Sequence, residues 1–164
     1  GLWLGGVWAP TNYMVLRGLT RHGYHSLAFD IAKNHYFNVV ECFAKTGSVW
    51  EHLAPDARAE ARGRKDFVGW TAITPIAVLF EYVFGLRPNP SKNRLVWNLL
   101  TTDEIGVERY PFGRHGLVDL KAVARESASD RPTVDVRSNV GFELELSWAG
   151  GSETIKVAPR PERS

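Results

Sequence analysis

The chain has 164 residues, of which 44% are hydrophobic and 23% charged, the composition of a globular protein long enough for one ordinary domain or part of a larger one. Its net charge of +2 gives no argument for nucleic-acid binding, and no apolar run approaches the roughly 18 residues that a membrane span requires. The single cysteine, Cys42, excludes an internal disulfide framework and is expected to be a small buried hydrophobic residue.

The first segment, residues 1–9, contains two tryptophans among three glycines. This composition lets the backbone approach a ligand closely while flat rings form walls, although a loop packed on its own tryptophans would show the same pattern. The chain also opens without methionine, directly on this loop. We therefore expect a piece of a longer polypeptide.

Two amphipathic helices are predicted next. Pro10 marks the start of the first, which ends at Gly23. The second has Ser26 as a candidate N-cap and repeats apolar residues at three- and four-residue spacing as far as Gly47. The short connection requires an antiparallel helical hairpin. The histidines of this region are expected at the surface or at helix caps, because they lack a metal-ligand spacing; they are His22, His25 and His35.

The segment at residues 46–56 places Trp50 beside Glu51 in an irregular stretch. A carboxylate next to an indole suits a sugar site, since the ring stacks on the apolar face of a pyranose while the acid hydrogen-bonds or activates water. A tryptophan that covers the edge of a core beside a solvated glutamate would give the same Trp-Glu sequence. The dipeptide alone therefore does not establish function.

A charged connection, residues 48–66, leads to a third helix that begins at residues 71–74 and ends at Gly85. A connection of this length inside a compact domain usually has a functional cause. Composition then changes at the proline-rich residues 86–91, which predict a boundary between a domain at 1–87 and a module at 88–164. Alternating patterns predict six strands in an antiparallel sandwich-like module, at residues 94–99, 106–110, 117–123, 133–137, 142–146 and 153–157.

The three helices carry more apolar surface than they can cover among themselves. The tryptophans of the first half all stand at helix entrances or connections, at Trp3, Trp8, Trp50 and Trp70. Stacked helical hairpins would bring such loops to one end. The predicted fold class is therefore α+β: about three helices from the C-terminal part of an (α/α) barrel, followed by the β module.

Four motifs, at residues 3–13, 23–28, 46–51 and 66–70, resemble in this order the C-terminal catalytic region of inverting α-glycosidases. The similar family is glycoside hydrolase family 63, together with the related trehalases. The resemblance covers residues 1 to about 87 and the β half only loosely. It implies a barrel of six helical hairpins, an oligosaccharide or disaccharide substrate with an α linkage, and the upstream part of the same barrel as partner. We expect no cofactor or metal, and the charge and hydropathy given above predict no nucleic acid or membrane as partner.

The resemblance also assigns roles to single residues. Glu51 matches the general base that deprotonates the attacking water, and Trp3 and Gly5 match a substrate-contacting loop. The other substrate-binding candidates are positions lining or bracing the cleft and a sugar-hydroxyl ligand; they are Trp8, Asn12, Trp50, Asp66 and Trp70. The chain departs from the family pattern at Leu4, where many relatives have a basic residue, and at His52, where a tyrosine is common.

An inverting enzyme also needs an acid that protonates the leaving oxygen. The family's acid is an aspartate that precedes this region, and neither Asp30, Asp56 nor Asp66 matches its motif. We therefore expect the isolated chain to be inactive. Two other readings stay open: a noncatalytic carbohydrate-binding protein, and a structural piece whose exposed aromatic residues await further helices.

Overall fold

The structure is a computed structural model that describes residues 5–56, 64 and 66–160. It divides into two compact units, Gly1–Val83 and Phe84–Ser164. The first contains the helices and the second the strands, so the predicted α+β class is confirmed. The composition boundary at residues 87 and 88 lies inside the first strand of the second unit.

The α unit contains three helices: α1 (Ala9–Arg21), α2 (His25–Thr46) and α3 (Thr74–Val83), the last preceded by a 3₁₀ turn at Gly69–Ala72. Pro10 lies in the first turn of α1, as expected from its missing N–H and fixed φ. Gly47 ends α2 with φ of 67°, and its N–H donates to the carbonyl of Phe43. The three predicted helices are confirmed, although Ser26 lies within α2 and Tyr24 is its N-cap.

One core cluster joins the three helices. It consists of Leu16 from α1, Ala28 and Ala32 from α2, and Val78 and Tyr82 from α3. The small alanines let the neighbouring helices approach α2 closely. None of the described helices combines the length and apolar character needed to cross a bilayer.

The predicted apolar stripes are partly wrong. Three large apolar residues of the α2 stripe are exposed, namely Leu27, Val40 and Phe43, as is Ile76 of α3. Instead α2 buries His35, which is 3% exposed and lies 2.9 Å through Nε2 from Thr74 Oγ1. Our surface assignment of His35 was therefore wrong. The reason is tertiary: Thr74, itself fully buried at the start of α3, provides a polar partner that the α2 sequence does not reveal.

The hydrogen-bonding pattern of α3 determines which of its residues are buried. This helix is a π-helix, in which i→i+5 hydrogen bonds place more residues in each turn than an α-helix has. Its buried residues, Thr74, Val78 and Tyr82, follow a four-residue interval. The apolar pattern of the sequence instead predicts a stripe of Ile73, Ile76, Ala77, Phe80, Val83 and Phe84.

The β unit contains seven strands in its described part: β1 (Leu86–Asn89), β2 (Arg94–Asn98), β3 (Ile105–Phe112), β4 (Gly116–Ala122), β5 (Val134–Ser138), β6 (Phe142–Trp148) and β7 (Gly151–Val157). They form a four-stranded sheet, ordered β1-β2-β6-β7, and a three-stranded sheet, ordered β3-β4-β5. The six predicted strands are confirmed. Residues 86–89 were not predicted as a strand, but they pair with β2 at the sheet edge.

The pairing is antiparallel except between β2 and β6, which run parallel, with Leu95 opposite Leu144. A wholly antiparallel arrangement was therefore also wrong. Alternate residues of β2 and β6 are buried, among them Trp97, Leu144 and Leu146. The rings of Phe112 and Phe142 lie with centroids 5.0 Å apart and join the two sheets.

Candidate functional site

The loop before α1 pairs with the loop that carries Glu51. Val7 N–H donates to the carbonyl of Leu53 at 2.8 Å, and Leu53 N–H donates back to Val7 at 3.1 Å. This isolated antiparallel bridge joins two segments that are far apart in the chain. It brings the first and third sequence motifs together.

Trp8 and His52 stack beside this bridge. Their ring centroids are 4.5 Å apart and their planes differ by 2°. Trp8 is 6% exposed, so the indole serves as an inner wall and not as an open platform. Gly6 packs directly against this pair, because a Cβ at that position would collide with the His52 ring and lie 3.1 Å from Trp8 Nε1.

Asn12 contacts the same loop from α1. Its side-chain amide donates to the carbonyl of Trp8 at 3.1 Å, and the Thr11 hydroxyl donates to that carbonyl at 2.8 Å. With the backbone N–H of Asn12, which donates to the same carbonyl at 3.2 Å, these bonds hold the Trp8 backbone at the start of α1. Asn12 therefore contacts the backbone of the residue that forms the wall.

Glu51 is held through its backbone. The Thr71 hydroxyl donates to the Glu51 carbonyl at 2.8 Å, and the Glu51 N–H donates to the carbonyl of Arg64 at 3.4 Å. Glu51 itself is half-buried, and no hydrogen bond or ion pair joins its carboxylate to another described residue. The carboxylate thus keeps its acceptor capacity with respect to the described part of the chain.

Trp50 packs against a hydrophobic cluster, and Asp66 is hydrogen-bonded to Ser48 at the other end of the connection. Trp50 is half-buried against the cluster of Val39, Cys42 and Leu53, and its Nε1 donates to Thr46 Oγ1 at 3.0 Å. The Asp66 carboxylate accepts a 2.6 Å hydrogen bond from the Ser48 hydroxyl, while the Asp66 N–H donates to the same hydroxyl oxygen at 3.1 Å. Asp66 has φ of 57°, a left-handed conformation that this reciprocal pair stabilises.

The remaining candidates are more exposed. Trp70, in the 3₁₀ turn before Thr71, is 64% exposed, and Gly5 is exposed with φ of 79°. Trp3 lies outside the described residues, as does Leu4. Hydrogen bonds and stacking therefore link the segments of Trp8, Glu51 and Asp66, while Trp70 is linked through its neighbour Thr71.

Sequence reasoning missed three residues that hold this arrangement: Ser48, His52 and Thr71. His52 was noted only as a departure from a family pattern. Its position directly after Glu51 was an available signal. The partners of Ser48 and Thr71 depend on the course of the connection between them and could not be read locally.

The β unit contains a separate cavity of about 630 Å³ over the strands β3, β4 and β5. Its charged lining residues include two internal ion pairs, Glu104 with Lys121 at 3.1 Å and Asp135 with Arg137 at 2.9 Å. No aromatic side chain lines it, and none of the predicted site residues does.

Among the described residues, no group of three or more histidines, cysteines or acids could hold a metal ion.

Comparison with known proteins identifies the helical half. The model of the glycosyl hydrolase family 63 C-terminal domain matches residues 1–79. The chain is similar to alpha-glucosidase 2 of Arabidopsis thaliana, with 30% identity over 89 residues, or 49% of this chain and 11% of the relative. It is also similar to a mannosylglycerate hydrolase of Selaginella moellendorffii, with 35% identity over 79 residues, or 48% of this chain and 15% of the relative.

A third similar protein is a mannosyl-oligosaccharide glucosidase of Arabidopsis thaliana, with 26% identity over 89 residues, covering 49% of this chain and 10% of the relative. The matched region is thus a small part of each of these proteins. No solved structure matches the chain. The match of residues 1–79, together with these two glucosidases and the mannosylglycerate hydrolase, confirms the resemblance seen in the four motifs. Residues 1–79, the helical half of the chain, are thus a region of the glycosyl hydrolase family 63 C-terminal domain.

Proposed function

We propose that the loop around Glu51 contributes the general base to an inverting α-glycosidase site. The observation that supports this most strongly is that three contacts hold the segment around Glu51: the Val7–Leu53 bridge, the Trp8–His52 stack and the Thr71 hydrogen bond. A backbone held on both sides fixes where a carboxylate can reach, which is what general-base catalysis requires.

The chemistry assigns one task to each group. The Glu51 carboxylate takes a proton from a water that attacks the anomeric carbon, and the configuration at that carbon inverts. Trp70 and Gly5, both exposed, contact the sugar, while Trp8 and Asn12 brace the wall. Asp66 accepts hydrogen bonds from sugar hydroxyls in addition to that from Ser48.

The acid partner comes from outside these residues, about 6.5 to 9.5 Å from Glu51 as inverting geometry requires. We place it on preceding helical hairpins that complete an (α/α) barrel. The exposed apolar residues of α1 and α2 support this, because they offer surface for neighbouring helices to cover; they are Met14, Val15, Leu27, Phe37, Val40 and Phe43. The names of the relatives indicate an α-linked glucoside or mannoside as substrate.

The test is to co-express the chain with the polypeptide encoded upstream of Gly1 in its reading frame and to assay aryl α-glucosides and α-mannosides. We expect hydrolysis by the pair, with the inverted anomer formed first in the proton NMR spectrum. Glu51→Gln should lower kcat by at least about 100-fold, the lower end of the range for a general base.

Glu108→Gln is the matched control, because Glu108 is an exposed β3 residue far from the family motifs in sequence. It should leave kcat unchanged. The proposal would be wrong if the isolated 164-residue chain hydrolysed these substrates at an ordinary rate and Glu51→Gln left that rate unchanged. Sugar binding without hydrolysis by the complete assembly, unaffected by Glu51→Gln, would instead establish a noncatalytic carbohydrate-binding protein.

A further inference from the structure

His52 connects the Glu51 loop to the loop before α1, and no part in catalysis or substrate binding is assigned to it above. Its ring lies parallel to that of Trp8 at a centroid distance of 4.5 Å, within the range of favourable aromatic stacking. Gly6 approaches the edge of the same ring so closely that no side chain fits there. The first loop therefore contacts both a face and an edge of the half-buried imidazole.

Packing, and not a polar partner, sets the orientation of this ring. His52 Nδ1 is shielded from solvent and has no hydrogen-bond partner among the described residues. The contact that the described residues provide to this ring is therefore the stack on Trp8. A flat apolar ring of similar size should consequently perform the same task.

The position of His52 gives the stack its importance. Thr71 holds the carbonyl of Glu51, and the stacked ring belongs to the next residue along the chain. The Glu51 backbone is thus fixed from both sides. If the stack were lost, these loops would still be joined by the two Val7–Leu53 hydrogen bonds and by the packing of Val7 on the cluster that contains Leu53, but nothing in these contacts fixes the residue next to Glu51.

We infer that His52 is a positioning residue, which holds the Glu51 carboxylate in register with the Trp8 wall by stacking on the indole. This inference rests on the proposed function only in taking Glu51 as the base. A displacement of about 1 Å at a reacting group can cost up to about 100-fold in rate. The effect should therefore fall on kcat and leave KM largely unchanged.

The first experiment measures hydrogen exchange at the Val7 and Leu53 amides of the 164-residue chain by NMR. His52→Ala should speed their exchange roughly three- to ten-fold, the range that loss of an aromatic pair implies. His52→Phe should restore slow exchange. His22→Ala, the same change at an exposed position at the end of α1, should have no effect. Unchanged exchange in His52→Ala would overturn the inference.

The second experiment measures kcat and KM of the same variants in the co-expressed assembly. We expect His52→Ala to lower kcat at least ten-fold with KM within about two-fold, and His52→Phe to recover the rate. A fall in kcat that His52→Phe does not recover would overturn the inference in favour of a polar role. If His52→Ala does not fold, His52→Phe alone tests the inference. A packing role predicts that this variant has the amide exchange and the kcat of the wild type.

The two proposals fail separately. An inactive wild-type assembly would refute the proposed function, while the exchange data would still show whether His52 holds the two loops. Activity that depends on Glu51 but not on His52 would refute only the positioning role.

Discussion

At the scale of single residues, the site depends on how closely the backbone approaches one ring. Gly6 has no room for a methyl group because the His52 ring occupies that space, while Trp8 fills the adjacent position. Overpacking of this kind typically costs about 1–3 kcal/mol. The stack of Trp8 on His52 therefore requires a residue without a side chain at position 6.

Gly6→Ala should lower the free energy of unfolding of the α unit by about 1–3 kcal/mol and disturb the Trp8–His52 stack. Gly18→Ala is the matched control: Gly18 lies inside α1 with open space at its Cβ position, so alanine should stabilise the helix by about 1 kcal/mol. Urea denaturation followed by far-ultraviolet circular dichroism measures both. Equal stability of Gly6→Ala and the wild type would contradict the geometry.

A second residue-scale consequence concerns His35. Burial lowers the pKa of His35 to about 4 from an ordinary value of 6.5, so the folded state keeps this ring neutral where the unfolded chain protonates it. Stability is complete above pH 6.5, falls by about 1.4 kcal/mol per pH unit as the pH drops towards 4, and stays level below that. The loss appears on acidification because the unfolded state binds the additional proton.

His35→Gln should remove this part of the pH dependence, since an amide can still hydrogen-bond Thr74 without titrating. The measurement is the denaturation midpoint of both proteins at several pH values between 4 and 7. His22→Gln, at an exposed histidine, should retain the wild-type slope. A slope that survives His35→Gln would assign the pH dependence to other groups.

At the scale of elements, helices were predictable where local pattern and packing agree. The α2 helix shows this, since its spacing and the left-handed Gly47 both follow from sequence. The π winding of α3 was not predictable, because i→i+5 hydrogen bonding leaves no distinct signal in a short apolar stretch.

The strand β1 was missed for a different reason. Pro88 and its neighbours are typical of a turn, yet proline is tolerated in an edge strand, and β1 lies at the sheet edge. The candidate site divides in the same way. Glu51 and Trp8 could be named from motifs, whereas the stack of Trp8 on His52 depends on pairing between distant segments.

The entry into β1 provides a further prediction. Gly85 has φ of 76°, and a Cβ there would collide with the carbonyl of Asn98, whose N–H donates to the Gly85 carbonyl at 2.9 Å. Gly85→Ala should therefore destabilise the β unit more than Gly113→Ala does. Gly113 has a similar φ of 67° but ample space, with the nearest atom, Pro90 Cβ, 3.6 Å from the added methyl position.

The comparison of Gly85→Ala with Gly113→Ala isolates the collision, because both substitutions carry the cost of a left-handed conformation, about 1 kcal/mol. Unfolding followed by tryptophan fluorescence measures the difference, which we expect to exceed about 1 kcal/mol. Equal destabilisation would show that the backbone near Asn98 relaxes freely.

At the scale of the whole molecule, the two compact units have separate cores, the helical cluster around Leu16 and the strand core around Trp97. The family 63 match ends at residue 79, within the first unit. The β unit is therefore a structural entity that the family match does not cover.

Residues 84–164 expressed alone should fold. Trp97 is fully buried and its Nε1 donates to the carbonyl of Phe84 at 2.9 Å, both within this unit. We expect blue-shifted tryptophan emission and a cooperative thermal transition. Emission at the position of a solvated indole, without a transition, would show that the β unit needs the helices.

The parallel pairing of β2 with β6 also bears on how quickly the chain reaches its native state. Residues 94–98 must find residues 143–147 after all of β3, β4 and β5 have been synthesised between them. Such a large sequence separation raises the contact order and slows the search, whereas the α1–α2 hairpin needs only neighbouring residues. Refolding should accordingly proceed in two kinetic phases, with helical ellipticity recovered before the environment of Trp97, and the late closure of the β2–β6 ladder as the slower step.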